Sequence, residues 1–218
     1  MASALEIRLR QRIAASFAEV NSSSPIAGII LSAGASSRMG TPKALLEFHG
    51  ETFLDRLIRL FSEAGVAPIV VLGHHADQIR AGIKRATDAT FVVNPDTARG
   101  MLSSLQCALA AIPEQTEAVM FLPVDHPNLQ PATLRQLIAR FHLDQPPVTV
   151  PTFADKHGHP VLISRALIAE LLALPVAAQA SDVIHRYRAQ TAYVPVDDPA
   201  VTTDIDDPAA YAALVALL

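Results

Sequence analysis

Between residues 26 and 124 the chain repeats one pattern. Short runs with almost no polar residue, at 26–31, 68–72, 91–93 and 118–124, alternate with segments whose apolar residues return every three or four positions. A run without polar alternation suits a strand covered on both faces. The apolar sets between these runs are Phe53, Leu57, Leu60 and Phe61; Ile79 and Ile83; and Leu102, Leu105, Leu109 and Ile112, and a fourth set, Leu134, Leu137, Ile138 and Phe141, follows the last run. Each marks one face of a helix. Strand and helix in alternation make βαβ units, which predict an α/β fold: a mostly parallel, Rossmann-like sheet between two layers of helices. Half of the 218 residues are hydrophobic. That is enough apolar mass for the buried core such a sheet needs.

Past residue 145 the rhythm loosens. Strands are expected at 148–151 and 160–163 with a loop at 155–159 between them, a helix at 167–174, a strand at 192–196 and an alanine- and leucine-rich helix at about 208–218. Pro208 suits the first turn of that helix. At the other end, Leu5, Leu9, Ile13 and Phe17 fall on one helical face, and residues 21–25 read as a linker. The expected organisation is an N-terminal helical extension and linker over 1–24 and one domain over 25–218. Glu6, Arg8, Arg10 and Arg12 interrupt the apolar positions that a secretory signal would need, and no stretch reaches the length of about 18 apolar residues that spans a membrane. The expected compartment is the cytoplasm. With 17 Lys and Arg against 21 Asp and Glu, and no Trp, the chain is a poor nucleic-acid binder. The single cysteine, Cys107, excludes an internal disulfide and a Cys-based zinc cage, and it sits in a helical pattern as core filling.

The segment 31–43 follows the first apolar run directly. In an open α/β sheet, ligands bind beyond the carboxyl ends of the strands. Small residues there let backbone N–H groups approach and cradle an anion, and Arg38 and Lys43 add the two cations that a polyphosphate needs. The spacing is neither a P-loop nor GxGxxG, since Gly34 and Gly40 are its only glycines.

These residues carry a resemblance. Residues 31–43 resemble the LAGGxSxRMGxxK signature of the MobA-like NTP transferase family. Asn94-Pro95, Gly100-Met101 and Ser103-Ser104-Leu105 resemble the NPxxxxGMxxSL segment of its molybdenum cofactor cytidylyltransferase branch. Residues 123–127 resemble the D-x-P metal motif, with His126 where Met or Gln is commoner. Gly158-His159-Pro160 resembles GHP, and residues 204–208 resemble the DIDTPED tail. The resemblance runs from about residue 26 to the last residue, in the family's order. It implies a three-layer α/β/α nucleotidyltransferase that moves a nucleoside monophosphate from an NTP to an acceptor phosphate and releases pyrophosphate. The branch implies CTP as donor and molybdopterin as acceptor, with a molybdenum enzyme or its chaperone as a further partner.

On this resemblance the nucleotide-binding set is Leu31, Ala33, Gly34, Arg38, Lys43, His74, Asn94 and Ser104, and the catalytic set is Arg38, Lys43 and Asp125. His126 and His159 face the acceptor. Mg²⁺ falls to Asp125, at the end of an apolar strand, and to Asp206, with Asp204 as competitor. Asp207, just before Pro208, reads as a helix cap as readily as a ligand. A zinc site at His74, His75, His157 and His159 is the weaker reading of those histidines. Two other functions remain open: the same transfer onto a sugar phosphate or phospho-alcohol, and a non-catalytic nucleotide-binding accessory protein of a molybdenum enzyme.

Overall fold

The structure is a computed structural model and describes residues 25–216. The helix expected over 4–19 and the last residues of the helix expected to reach 218 lie outside the described residues. Among these residues the apolar runs form β1 (Ile26–Ser32), β4 (Ala67–Leu72), β5 (Thr90–Val93) and β6 (Ala118–Pro123). A small antiparallel ribbon of β2 (Glu47–Phe48) and β3 (Glu51–Thr52) lies outside the main sheet. Later in the chain come β7 (Val148–Phe153), β8 (Lys156–His157), β9 (Val161–Ser164) and β10 (Thr191–Pro195). The loop expected at 155–159 thus contains a two-residue strand, β8.

The main sheet runs β10-β7-β9-β6-β1-β4-β5, with β8 attached to β7. β1 pairs in parallel with β4 and β6, β4 with β5, and β7 with β10. Only β9, between β6 and β7, and the short β8 run antiparallel to their neighbours. This is the mostly parallel sheet that the alternating pattern implies. The reversal of β9 brings the loop that precedes it to the carboxyl edge shared by β6 and β7.

Helices cover both faces. α1 (Phe53–Glu63) starts at Thr52, whose hydroxyl accepts from the Asp55 N–H at 3.0 Å. It buries Phe53, Leu54, Leu57, Ile58 and Phe61 completely. Each such side chain contributes about 1.5–3 kcal/mol of burial free energy. Gly28 permits the close contact of α1 with β1. A Cβ there would lie 2.2 Å from a Phe61 ring carbon and 2.6 Å from a Val66 methyl. The chain continues through α2 (Ala76–Gly82), α3 (Met101–Leu109), α4 (Pro131–Asp144), α5 (Ile168–Ala173), α6 (Ala180–Arg186) and α7 (Pro208–Val215). Pro131 and Pro208 occupy first turns, where a missing N–H costs nothing. α1, α4 and α7 pack on one core and α3, α5 and α6 on the other, one core on each face of the sheet. No helix among the described residues is long and apolar enough to cross a membrane.

Candidate active site

A cavity of about 320 Å³ opens at the carboxyl ends of β1 and β6, walled by residues 31–44 and the start of α3. Backbone hydrogen bonds assemble it. The Val124 N–H donates to the Leu31 carbonyl at 3.0 Å, joining the ends of the two strands. The His74 N–H donates to Ala33 O at 3.2 Å, and the Ile205 N–H to Asp125 O at 3.0 Å. The loop itself is folded by Ser36, whose hydroxyl accepts from the Lys43 N–H at 3.1 Å. On the far side, Arg56 of α1 donates through Nε to the Pro127 carbonyl at 2.7 Å and pins the turn after β6.

Four charged side chains meet in the cavity. The Lys43 ammonium donates to Asp125 Oδ2 at 2.8 Å and to Asp206 Oδ1 at 2.5 Å, and Arg38 donates to Asp206 Oδ2 at 2.9 Å. Burial opposes the charge on Lys43. The hydrogen bonds and charges of the two carboxylates outweigh burial and hold its pKa above the ordinary lysine value. The same hydrogen bond from Lys43 holds the Asp206 carboxyl below its ordinary value against partial desolvation, with Arg38 adding to the effect. Asp125 Oδ1 is buried with no hydrogen-bond partner among the described residues. Such an oxygen costs free energy unless something donates to it or coordinates it. Two converging carboxylates with an unused oxygen between cationic side chains are the hard-oxygen donor set that suits a divalent cation beside phosphates.

The other residues singled out in the sequence divide into two groups. Leu31, Ala33, Gly34 and Ser104 line the cavity with Arg38, Lys43, Asp125 and Asp206. Asn94 does not. It is buried, its amide donates to Ser103 Oγ at 2.9 Å and to Ser104 Oγ at 3.0 Å, and its carbonyl accepts from the Asp96 N–H at 3.0 Å. Asn94, singled out in the sequence for nucleotide binding, brackets Ser103 and Ser104, of which Ser104 lines the cavity. His74 does not line it either; its Nδ1 lies 3.3 Å from the O of Ala33 and 3.1 Å from the Oγ1 of Thr97, two residues that do. Asp204 is exposed and makes no ion pair among the described residues, so Asp206 is the tail carboxylate that reaches Lys43. Asp207 caps α7, accepting from the Ala210 N–H at 2.9 Å.

His126 is buried, with Nδ1 3.1 Å from Ala200 O and Nε2 3.8 Å from Asp125 Oδ1. The His159 ring lies 5.2 Å from it, centroid to centroid. Burial first, then the neighbouring His126, pushes the His159 pKa down to about 4. No group of three potential metal-binding His, Cys, Asp or Glu side chains forms among the described residues, and the histidine pairs weighed for zinc separate: His157 stacks on Tyr193, away from His74 and His75. Ser36 and Thr97 also line the cavity. Reading the sequence did not single them out. Ser36 had a signal available, since it stands at the serine of the LAGGxSxRMG pattern; Thr97 had none.

Residues 28–192 match the model of the MobA-like NTP transferase domain. The molybdenum cofactor cytidylyltransferase of Escherichia coli is 29% identical over 147 residues, covering 67% of this chain and 74% of that protein. A molybdenum cofactor guanylyltransferase from Xanthomonas euvesicatoria is 37% identical over 115 residues, 53% of this chain and 54% of that one. Among solved structures, the Mycobacterium tuberculosis protein Rv0371c superposes with a TM-score of 0.78 at 32% identity, over 88% of this chain and 97% of its own. A complex of Rv0371c with manganese superposes with a TM-score of 0.74 at 29% identity, over 88% and 99% of the two chains. Both the sheet order and the match over most of its length agree: the chain belongs to the MobA-like NTP transferase family of nucleotidyltransferases.

Proposed function

We propose that this protein transfers CMP from CTP to the phosphate of molybdopterin, releasing pyrophosphate. The observation that carries the reading is the cluster of Lys43, Asp125 and Asp206 in a cavity that the 31–44 loop walls together with the start of α3. In such a transfer an acceptor phosphate oxygen forms a bond to the α-phosphorus while the bond to the bridging oxygen breaks, and the electron pair leaves with pyrophosphate. The protein's task is positioning and charge neutralisation. Arg38 and Lys43 hold the triphosphate and stabilise the leaving pyrophosphate. The backbone of Ala33 and Gly34 lies against the nucleotide, and Ser104 faces the base edge. Asp125 and Asp206 are the residues that would hold Mg²⁺, which, when bound, draws charge from the phosphate oxygens. A relative solved with manganese and relatives named for molybdenum cofactor nucleotidyl transfer support both choices.

Ala33 lines the cavity, and a methyl group beside the base would favour the smaller pyrimidine. A lost base hydrogen bond costs about 1–3 kcal/mol, so CTP should be preferred by about tenfold or more over GTP. The test is pyrophosphate release with CTP and GTP, using molybdopterin and glucose 1-phosphate as acceptors. Equal turnover with GTP would remove the cytidylyl assignment. Turnover with glucose 1-phosphate and none with molybdopterin would replace the acceptor.

A further inference from the structure

Between β10 and α7 the chain runs as a strap, residues 196–206, and bonds to several groups around the reactive cluster. The Val196 N–H donates to Thr152 O of β7 at 3.0 Å. Ala200 O lies 3.1 Å from His126 Nδ1, and Val201 O accepts from the His159 N–H at 2.8 Å. Gly158 permits this closeness: a Cβ there would fall 2.2 Å from the Val201 carbonyl oxygen. The Ile205 N–H donates to Asp125 O at 3.0 Å, and the strap ends at Asp206, which holds Lys43 and Arg38.

One carboxylate of the strap bonds elsewhere. Asp198 is only 2% exposed and does not line the cavity that holds Lys43. Its Oδ2 accepts from the Gln130 N–H at 2.9 Å and from the Thr133 hydroxyl at 2.7 Å, both at the start of α4. Its Oδ1 accepts from the Ala200 N–H at 3.1 Å. No cationic side chain pairs with it among the described residues.

A buried carboxylate without a counter-ion is costly unless donors converge on it. Here three donors do, two of them at the amino end of a 14-residue helix, where negative charge is favoured. Asn cannot copy this grip, because its amide nitrogen would meet a donor with another N–H. The other attachments of the strap ahead of Asp206 are single hydrogen bonds. We propose that Asp198 is a positioning residue: by fastening the strap to α4 it fixes Asp206 beside Asp125, and it touches neither nucleotide nor cation itself. That a cation gains from this placement rests on the transfer reading of the cavity; the fastening does not.

The test is Mn²⁺ binding to the full chain without nucleotide, read from the free-Mn²⁺ resonance signal. Asp198→Asn should weaken it by about tenfold to a hundredfold, as losing a group that orients a metal ligand does. Asp197→Asn removes the same charge from the exposed neighbouring residue and should bind Mn²⁺ as wild type does. In an Asp206→Asn background Asp198→Asn should cost much less than it does alone, because its effect runs through Asp206. A merely structural role would give losses that add. Thermal melts check folding. Should Asp198→Asn not fold, Thr133→Val removes one of the three donors and should weaken Mn²⁺ binding by about threefold, again only with Asp206 present. The proposal is overturned by wild-type affinity in the folded variant, by an equal loss in Asp197→Asn, by additive losses in the double variant, or by absence of Mn²⁺ binding to wild type. The outcome is separable from the transfer reading. Losses that follow this pattern, in a protein that releases no pyrophosphate with any acceptor, sink only the transfer. Pyrophosphate release with Mn²⁺ binding indifferent to Asp198 sinks only the positioning role.

Discussion

Lys43 neutralises two carboxylates with one ammonium, at 2.8 and 2.5 Å, and its side chain is only 12% exposed. Removing that charge leaves Asp125 without a cationic hydrogen-bond partner and Asp206 with Arg38 alone, and a divalent cation is the natural replacement. Lys43→Met should therefore weaken CTP binding yet tighten Mn²⁺ binding in the absence of nucleotide, by about tenfold, as read by calorimetry or by the free-Mn²⁺ resonance signal. Unchanged or weaker Mn²⁺ affinity would show that the ammonium does not compete for those oxygens. Asp125→Asn keeps the shape and loses the charge. Turnover should drop by about a hundredfold or more, with the fold intact and partial recovery at high Mg²⁺. Normal turnover at low Mg²⁺ would make Asp125 a turn residue. His159 gives the pH dependence. Its pKa falls from 6.5 to about 4 on folding, so as pH drops through that window the unfolded chain takes up a proton that the folded chain refuses. Stability should fall by about 3 kcal/mol between pH 7 and pH 4 from this residue. Urea titrations at both pH values should show His159→Gln losing less on acidification than wild type; equal losses would assign the acid sensitivity elsewhere.

The link between β5 and α3 is built as one unit. Asn94 bonds Ser103, Ser104 and the Asp96 N–H, and Ser103 in turn donates to Gly100 O at 2.8 Å. Asn94→Ala removes the amide partner of the buried Ser104 hydroxyl and of the Asp96 N–H and should cost about 1–3 kcal/mol of stability in a denaturant titration. A cost near zero would mean that water replaces the amide. Asn94 also shows where sequence reading stops. Its position after an apolar run was plain, but whether an amide at a strand end turns toward a ligand or into the protein depends on neighbours that only the fold assembles. The strands behaved differently. Runs expected at 26–31, 68–72, 91–93 and 118–124 appear as β1, β4, β5 and β6, each shifted by no more than a residue at either end. Burial on both faces leaves its mark directly in composition. Direction leaves none, since an apolar run reads alike both ways, and β9 turned out antiparallel. Asp204 and Asp206 were indistinguishable by type. The hydrogen bond from the intervening Ile205 N–H to Asp125 O is what sets which one faces Lys43.

At the scale of the whole molecule the sheet has two regions joined along β9. β1 pairs with β4 and with β6 over nearly its full length, whereas β9 meets β7 only at Val148 with Ile163 and Thr149 with Leu162. Amides along this short ladder should exchange with deuterium well before those of β1 and β4, because local opening needs few bonds to break there. Uniform protection across the sheet, measured by peptide-level exchange, would mean that the helices carry the seam. Load passes sideways through a sheet by its rungs, and a ladder of two rungs is where shear concentrates. The β7–β10 ribbon is thus the compliant part of the molecule. It can give slightly while the 31–43 loop and Asp125 stay joined to the stiffer strands.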